Sequence, residues 1–102
     1  MFSVVYITSK DMIEARKIAM SLVEDRLVAC TNMFPMTSVY KWEGSVQEDS
    51  EVAIICKTRT EKVPEVIARV KEMHSYEIPC ITSWSIGAAH LEYLDWVKKE
   101  TE

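Results

Sequence analysis

Eight consecutive positions, Met73 to Cys80, carry a thioether, an imidazole, a phenol, a carboxylate and a thiol in the order Met-His-Ser-Tyr-Glu-Ile-Pro-Cys. Met73, His74 and Cys80 supply two sulfur donors and an imidazole. That soft set suits Cu(I), and Cu(II) less comfortably, better than magnesium or calcium. His74 and Cys80 lie six positions apart, so a turn must fold them together before they can share one ion. The same residues also read as packing, with Met73 closing a core, His74 satisfied at a helix end and Cys80 a buried strand thiol. Pro79 favours extended backbone before it, which points to a helix that stops and a strand that begins within this stretch.

Other reactive side chains are sparse. Cys30, Cys56 and Cys80 are the three cysteines, and none belongs to a Cys-x-x-Cys pair of the kind a zinc or redox site uses. An odd count favours free thiols in a reducing compartment. Cys30 and Cys56 fall in apolar runs and read as small core residues. Met33 and Met36 bracket Phe34-Pro35 and read as packing, and His90 as a surface or helix-start residue.

The composition narrows the classes of function. With 102 residues, 48% of them hydrophobic, the chain has the length of one domain, residues 1–102, with a thin core. Three tryptophans, four tyrosines and six methionines are hard to bury in so small a monomer, which predicts an oligomer. A net charge of −4 and scattered lysines and arginines leave no basic footprint for nucleic acid. No apolar run approaches the ~20 residues of a membrane span. Met1 to Ile7 lacks the basic start and small-residue cleavage site of a leader, so a soluble, cytoplasmic protein is expected.

The elements that must position the Met73–Cys80 stretch follow from hydrophobic period. Phe2 to Ile7 is rich in β-branched and aromatic residues and predicts a first strand. Thr8 or Ser9 caps a helix whose apolar stripe is Ala15, Ile18, Ala19, Leu22 and Val23. Leu27 to Phe34 predicts a second strand ending at Pro35. Thr37 to Val46 predicts a hairpin that turns at Gly44 and presents Tyr40 and Trp42 on one face. An acidic connector, Gln47 to Glu51, leads into a buried strand over Val52–Cys56. A second helix starts at Thr60 or Glu61, keeps Pro64 in its first turn and runs its stripe through Val63, Val66, Ile67, Val70, Met73 and His74. Ile78 to Ile86 is a last strand, and Leu91, Leu94 and Val97 predict a short closing helix. The order is an α+β, ferredoxin-like split βαβ sandwich with an inserted β-hairpin and a short C-terminal helix.

Several segments together, in order, resemble the CutA divalent-cation-tolerance family over essentially the whole chain. They are Tyr6-Ile7-Thr8-Ser9, Leu22 to Asn32, Val39 to Gly44, Lys57-Thr58, His74 to Pro79 and Tyr93 to Trp96. The resemblance implies a homotrimer in which hairpin strands pair with neighbouring sheets, and a link to copper tolerance. Tyr40 and Trp42 would then be interface anchors, and an arm that is marginal alone would gain a partner. The chain departs from the family pattern at Ser75, where many members have proline, and at Cys80, where they have glutamate. Ile7 stands where some bacterial members carry a proposed cysteine ligand, so that ligand set does not transfer intact.

Trp42, Glu43, Lys57, Tyr76 and Glu77 match the family pattern and, in a trimer, could line one cleft between protomers. A Lys–Glu pair beside a tyrosine can shift pKa values enough for acid–base work. No nucleophile–base–orienter set or glycine-rich phosphate loop accompanies it, so the chain is not expected to be an enzyme. The expected function is divalent cation tolerance through weak binding of a copper ion, monovalent or divalent, at Met73, His74 and Cys80. The alternative is a trimeric small-molecule-sensing or signalling module that takes a small anionic metabolite through Lys57.

Overall fold

The computed structural model describes residues 1–102. Its elements are β1 (Phe2–Ser9), α1 (Met12–Glu24), β2 (Cys30–Trp42), β3 (Ser45–Arg59), α2 (Val63–Met73), β4 (Ile81–Ser85) and α3 (Leu91–Glu100). The four strands form one antiparallel sheet in the order β2-β3-β1-β4. β1 and β2 run parallel with β3 between them, so α1 is the crossover of a split βαβ unit. This is the ferredoxin-like α+β arrangement expected from the element order.

Alternation along the strands decides which side is core. Val5 and Ile7 of β1 pair with Cys56 and Ile54 of β3, and all four are fully buried. They meet Ala15, Ile18 and Leu22 of α1 and Val66 and Val70 of α2, which continue the predicted stripes. Met73 packs against the same cluster from the end of α2. Val23, expected in the stripe, is 41% exposed because the sheet covers only the Ala15–Leu22 side of α1.

The opposite face is covered only at one end. α3 lies there, with Tyr93 sharing a 3.2 Å hydrogen bond with Cys30 and Arg59 donating to Thr101 Oγ1 at 3.0 Å. Cys30 pairs with Lys57 in register and so belongs to this face, half-buried rather than in the core where the apolar run suggested it. Cys56 is a core residue as expected, and burial pushes its thiol up to about 12. Beyond α3, Phe34 and Trp84 are 42% and 51% exposed.

Several boundaries differ from the sequence expectation for physical reasons. Asp11 caps α1, accepting from Glu14 N–H at 2.8 Å, because Thr8 and Ser9 remain in β1 and Ser9 is fully buried. Pro35 does not end the second strand. It sits opposite Val52 in β2, an edge strand where a missing N–H can face away from the ladder. The acidic stretch from Gln47 to Glu51 is not a connector but part of β3, pairing with Met36 to Tyr40. The hairpin is therefore the outer half of β2 and β3, and it lengthens the molecule to 45 Å. β4 begins at Ile81, later than expected, because the residues after α2 fold into a hydrogen-bonded turn.

Candidate functional site

His74 caps the C-terminus of α2 in an extended conformation. Its Nε2 meets the Thr8 carbonyl at 2.6 Å, and its Nδ1 accepts the Tyr76 N–H at 3.1 Å. This pairing requires the tautomer with hydrogen on Nε2. The ring thus clamps the turn to the end of β1, with its centroid 4.8 Å from that of Tyr76.

Glu14 makes the second clamp. Its carboxylate accepts Lys10 N–H at 3.0 Å and Ser75 N–H at 2.9 Å, which joins the start of α1 to the same turn. Burial opposes its charge, yet the Ser75 and Lys10 donors and nearby His74 together hold its carboxyl below the ordinary value. Glu14 is only 8% exposed, whereas Arg16, Lys17 and Glu24 of the same helix face solvent.

So held, the turn faces the hairpin across a cleft of about 480 Å³. β1 contributes Tyr6 and Thr8, and the hairpin contributes Tyr40, Trp42 and Glu51. Tyr76, Glu77 and Cys80 close it from the turn. Tyr76 donates to Glu51 Oε2 at 2.7 Å, and Tyr40 donates to Asp49. Burial first, then the Glu51 carboxylate, push the Tyr76 hydroxyl far above its ordinary value. The Asp49 bond likewise raises that of Tyr40. Both phenols are therefore fixed as hydrogen donors. A hollow along α1 is instead lined by Arg16, Lys17, Glu24 and Asp25 and is a solvated helix face.

The residues singled out from sequence separate into groups. Trp42, Tyr76, Glu77 and Cys80 come together in the cleft. Glu43 lies at the hairpin tip and Lys57 donates to Asn32 Oδ1 at 2.8 Å, so neither lines it. Cys80 is exposed and precedes β4, which removes the buried-strand reading of its thiol. Met73 is committed to the core and both His74 nitrogens are hydrogen-bonded, so these three donors do not fit a preformed copper centre. No group of three or more His, Cys, Asp or Glu side chains converges elsewhere.

Sequence reasoning missed Glu51 and Tyr6. The signal for Glu51 was period-two alternation: read as strand, Gln47, Asp49 and Glu51 share the face of Tyr40 and Trp42.

Fold and site together define a small ferredoxin-like protein with a long hairpin arm and an aromatic, acidic side cleft. The family model for the CutA1 divalent ion tolerance protein matches residues 3–100, and the chain belongs to that family. It is 44% identical over 102 residues to the divalent-cation tolerance protein CutA of Archaeoglobus fulgidus, covering 100% of both chains. It is also 44% identical to that of Thermus thermophilus, covering 99% of both. The solved structure of the A. fulgidus protein, described as periplasmic, superposes with a TM-score of 0.98 over 100% of both chains. No helix is long and apolar enough to cross a membrane.

Proposed function

We propose that this chain serves divalent cation tolerance as a non-enzymatic homotrimer whose working site is the cleft between the hairpin and the Tyr76 turn. The observation that carries this is the convergence of Trp42, Tyr76, Glu77 and Cys80 from distant parts of the chain into one concave site. Full-length similarity to proteins named for divalent cation tolerance supports the physiological role.

Trimer formation is supported by what the protomer leaves uncovered. From Val52 outward the hairpin is a two-stranded ribbon, marginal by itself in water. On the sheet face that α3 leaves open, Phe34 and Trp84 are 42% and 51% exposed. A neighbour that pairs with the ribbon satisfies its edge and covers these rings. Light scattering at micromolar concentration should give three times the 11.8 kDa chain mass, and a monomeric mass would refute the assembly.

Copper enters through Cys80, whose exposed thiol lines the same cleft as Glu77. His74 could join it only by releasing Thr8 or Tyr76, which makes any such site weak and exchangeable. Anaerobic Cu(I) titration, and Cu(II) titration in air, should show weakened uptake in a His74→Ala, Cys80→Ser double variant. Unchanged stoichiometry and affinity would remove these ligands. The three free thiols favour the cytoplasm, although the A. fulgidus relative is described as periplasmic. Fractionation of the native host decides between the compartments.

A further inference from the structure

The cleft carries a charge imbalance that the protomer does not correct. Its walls hold four aromatic side chains, Tyr6, Tyr40, Trp42 and Tyr76, and two carboxylates, Glu51 and Glu77. No lysine, arginine or histidine lines it. Glu51 is 8% exposed, and none of the three ion pairs in the chain includes it. One of its oxygens accepts the Tyr76 hydroxyl, and the other has no donor in the protomer. Asp49, bonded to Tyr40, adds a further negative group near the aromatic wall. The unpartnered Glu51 oxygen is not sealed from solvent, so a cation entering the cleft can pair with it directly.

We propose that the cleft binds a small organic cation, an alkylammonium headgroup, held between the aromatic side chains of Tyr40, Trp42 and Tyr76 and the carboxylate of Glu51. The inference rests on the cleft being the working site and names the chemistry of its ligand. Aromatic faces attract a cation through the ring quadrupole, and quaternary ammonium groups are bound in cages of this composition. The cleft, about 480 Å³, admits such a headgroup with a short chain and falls in the ordinary range for small-molecule sites. A bare metal ion would find fewer than three His, Cys, Asp or Glu donors converging on it, whereas an organic cation also uses the rings. An anion would meet Glu51 and Glu77, and Lys57, the cation expected to grip it, is bonded to Asn32 instead.

Calorimetric titration of the full chain with choline, its neutral isostere 3,3-dimethylbutan-1-ol, and citrate tests both the charge and the site. Choline should bind saturably, one per chain, at least about tenfold tighter than the neutral isostere. Glu51→Gln should weaken choline by about tenfold and leave the isostere unchanged. Should that variant fail to fold, Trp42→Leu should lose choline while Trp42→Phe retains most of it. Equal affinity for choline and the isostere, citrate binding alone, or full affinity in Trp42→Leu would overturn the cation assignment but leave the cleft as a site. Choline binding that appears only in Lys57→Ala would assign the cation position to a neighbouring protomer's lysine and overturn it as well. Saturable binding of none of the three probes would overturn both the assignment and the cleft.

Discussion

Tyr76 donates its hydroxyl to Glu51 across 2.7 Å, tying the turn after α2 to β3 over 25 positions of sequence. That bond closes one end of the cleft and occupies one oxygen of a carboxylate that is 8% exposed. Neither residue explains the other in one dimension. The hairpin strand carries Glu51 to the site, and the clamps on Ser75 and Tyr76 carry the phenol to meet it.

Removing that bond should cost stability without changing the fold. Tyr76→Phe leaves Glu51 with no donor in the protomer, and a hydrogen bond to a charged acceptor contributes about 1.5–3 kcal/mol. Urea unfolding should show a loss near the lower end of that span, because Tyr76 is only half-buried. Pairing it with Glu51→Gln should give less than the sum of the single effects.

Glu14 should make stability depend on acid. Its folded pKa lies below the ordinary 4.5, so its contribution is fully present above pH 4.5. That contribution is lost as pH falls through the lowered folded value, since the unfolded chain binds the proton more tightly. Wild type should exceed Glu14→Gln in unfolding free energy at pH 7, with the gap narrowing as pH falls below 4.5. A gap that does not change with pH would mean the carboxylate charge is not what holds the turn.

The three cysteines should differ in reactivity. Cys56 is fully buried with its thiol raised to about 12 by burial and by Cys30, so almost none of it is thiolate near neutral pH. Iodoacetamide at pH 8 should leave Cys56 unmodified in the native protein, and mass mapping should find Cys80 labelled first. Denaturant should expose all three to the reagent.

The hairpin turn holds a residue poorly suited to its backbone. Glu43 and Gly44 have φ of 49° and 83°, the two positive values of a type I′ turn. Glycine adopts this conformation freely, whereas glutamate does not, and asparagine tolerates it. Glu43→Asn should raise stability by about 0.5–1 kcal/mol, read as a higher thermal midpoint, and Gly44→Val should lower it.

Much of the fold was legible because it depends on local periodicity. The stripes of α1 and α2 and the alternation of β1 each follow from spacing within a single element. The hairpin was legible as well, since Gly44 and the Tyr40/Trp42 alternation mark its turn and its faces. The errors came where partners override composition. Pro35 reads as a strand terminator until β2 is known to be an edge, and Glu51 reads as connector until β3 is known to run through it. Cys30 shares the apolar neighbourhood of a core residue, yet its register opposite Lys57 turns it to the other face.

The Met73–Cys80 stretch shows the same division most sharply. Sequence by itself determined that these reactive side chains sit at a helix end followed by a proline, and that the chain belongs with CutA-like proteins in fold and order of elements. Only the tertiary structure decided that His74 spends both nitrogens on Thr8 and Tyr76 while Cys80 turns into a cleft with Trp42 and Glu51. The physical reason is that spacing constrains neighbours along one element. Which hydrogen bonds an imidazole makes, and which face a thiol meets, depend on elements that arrive from elsewhere in the chain.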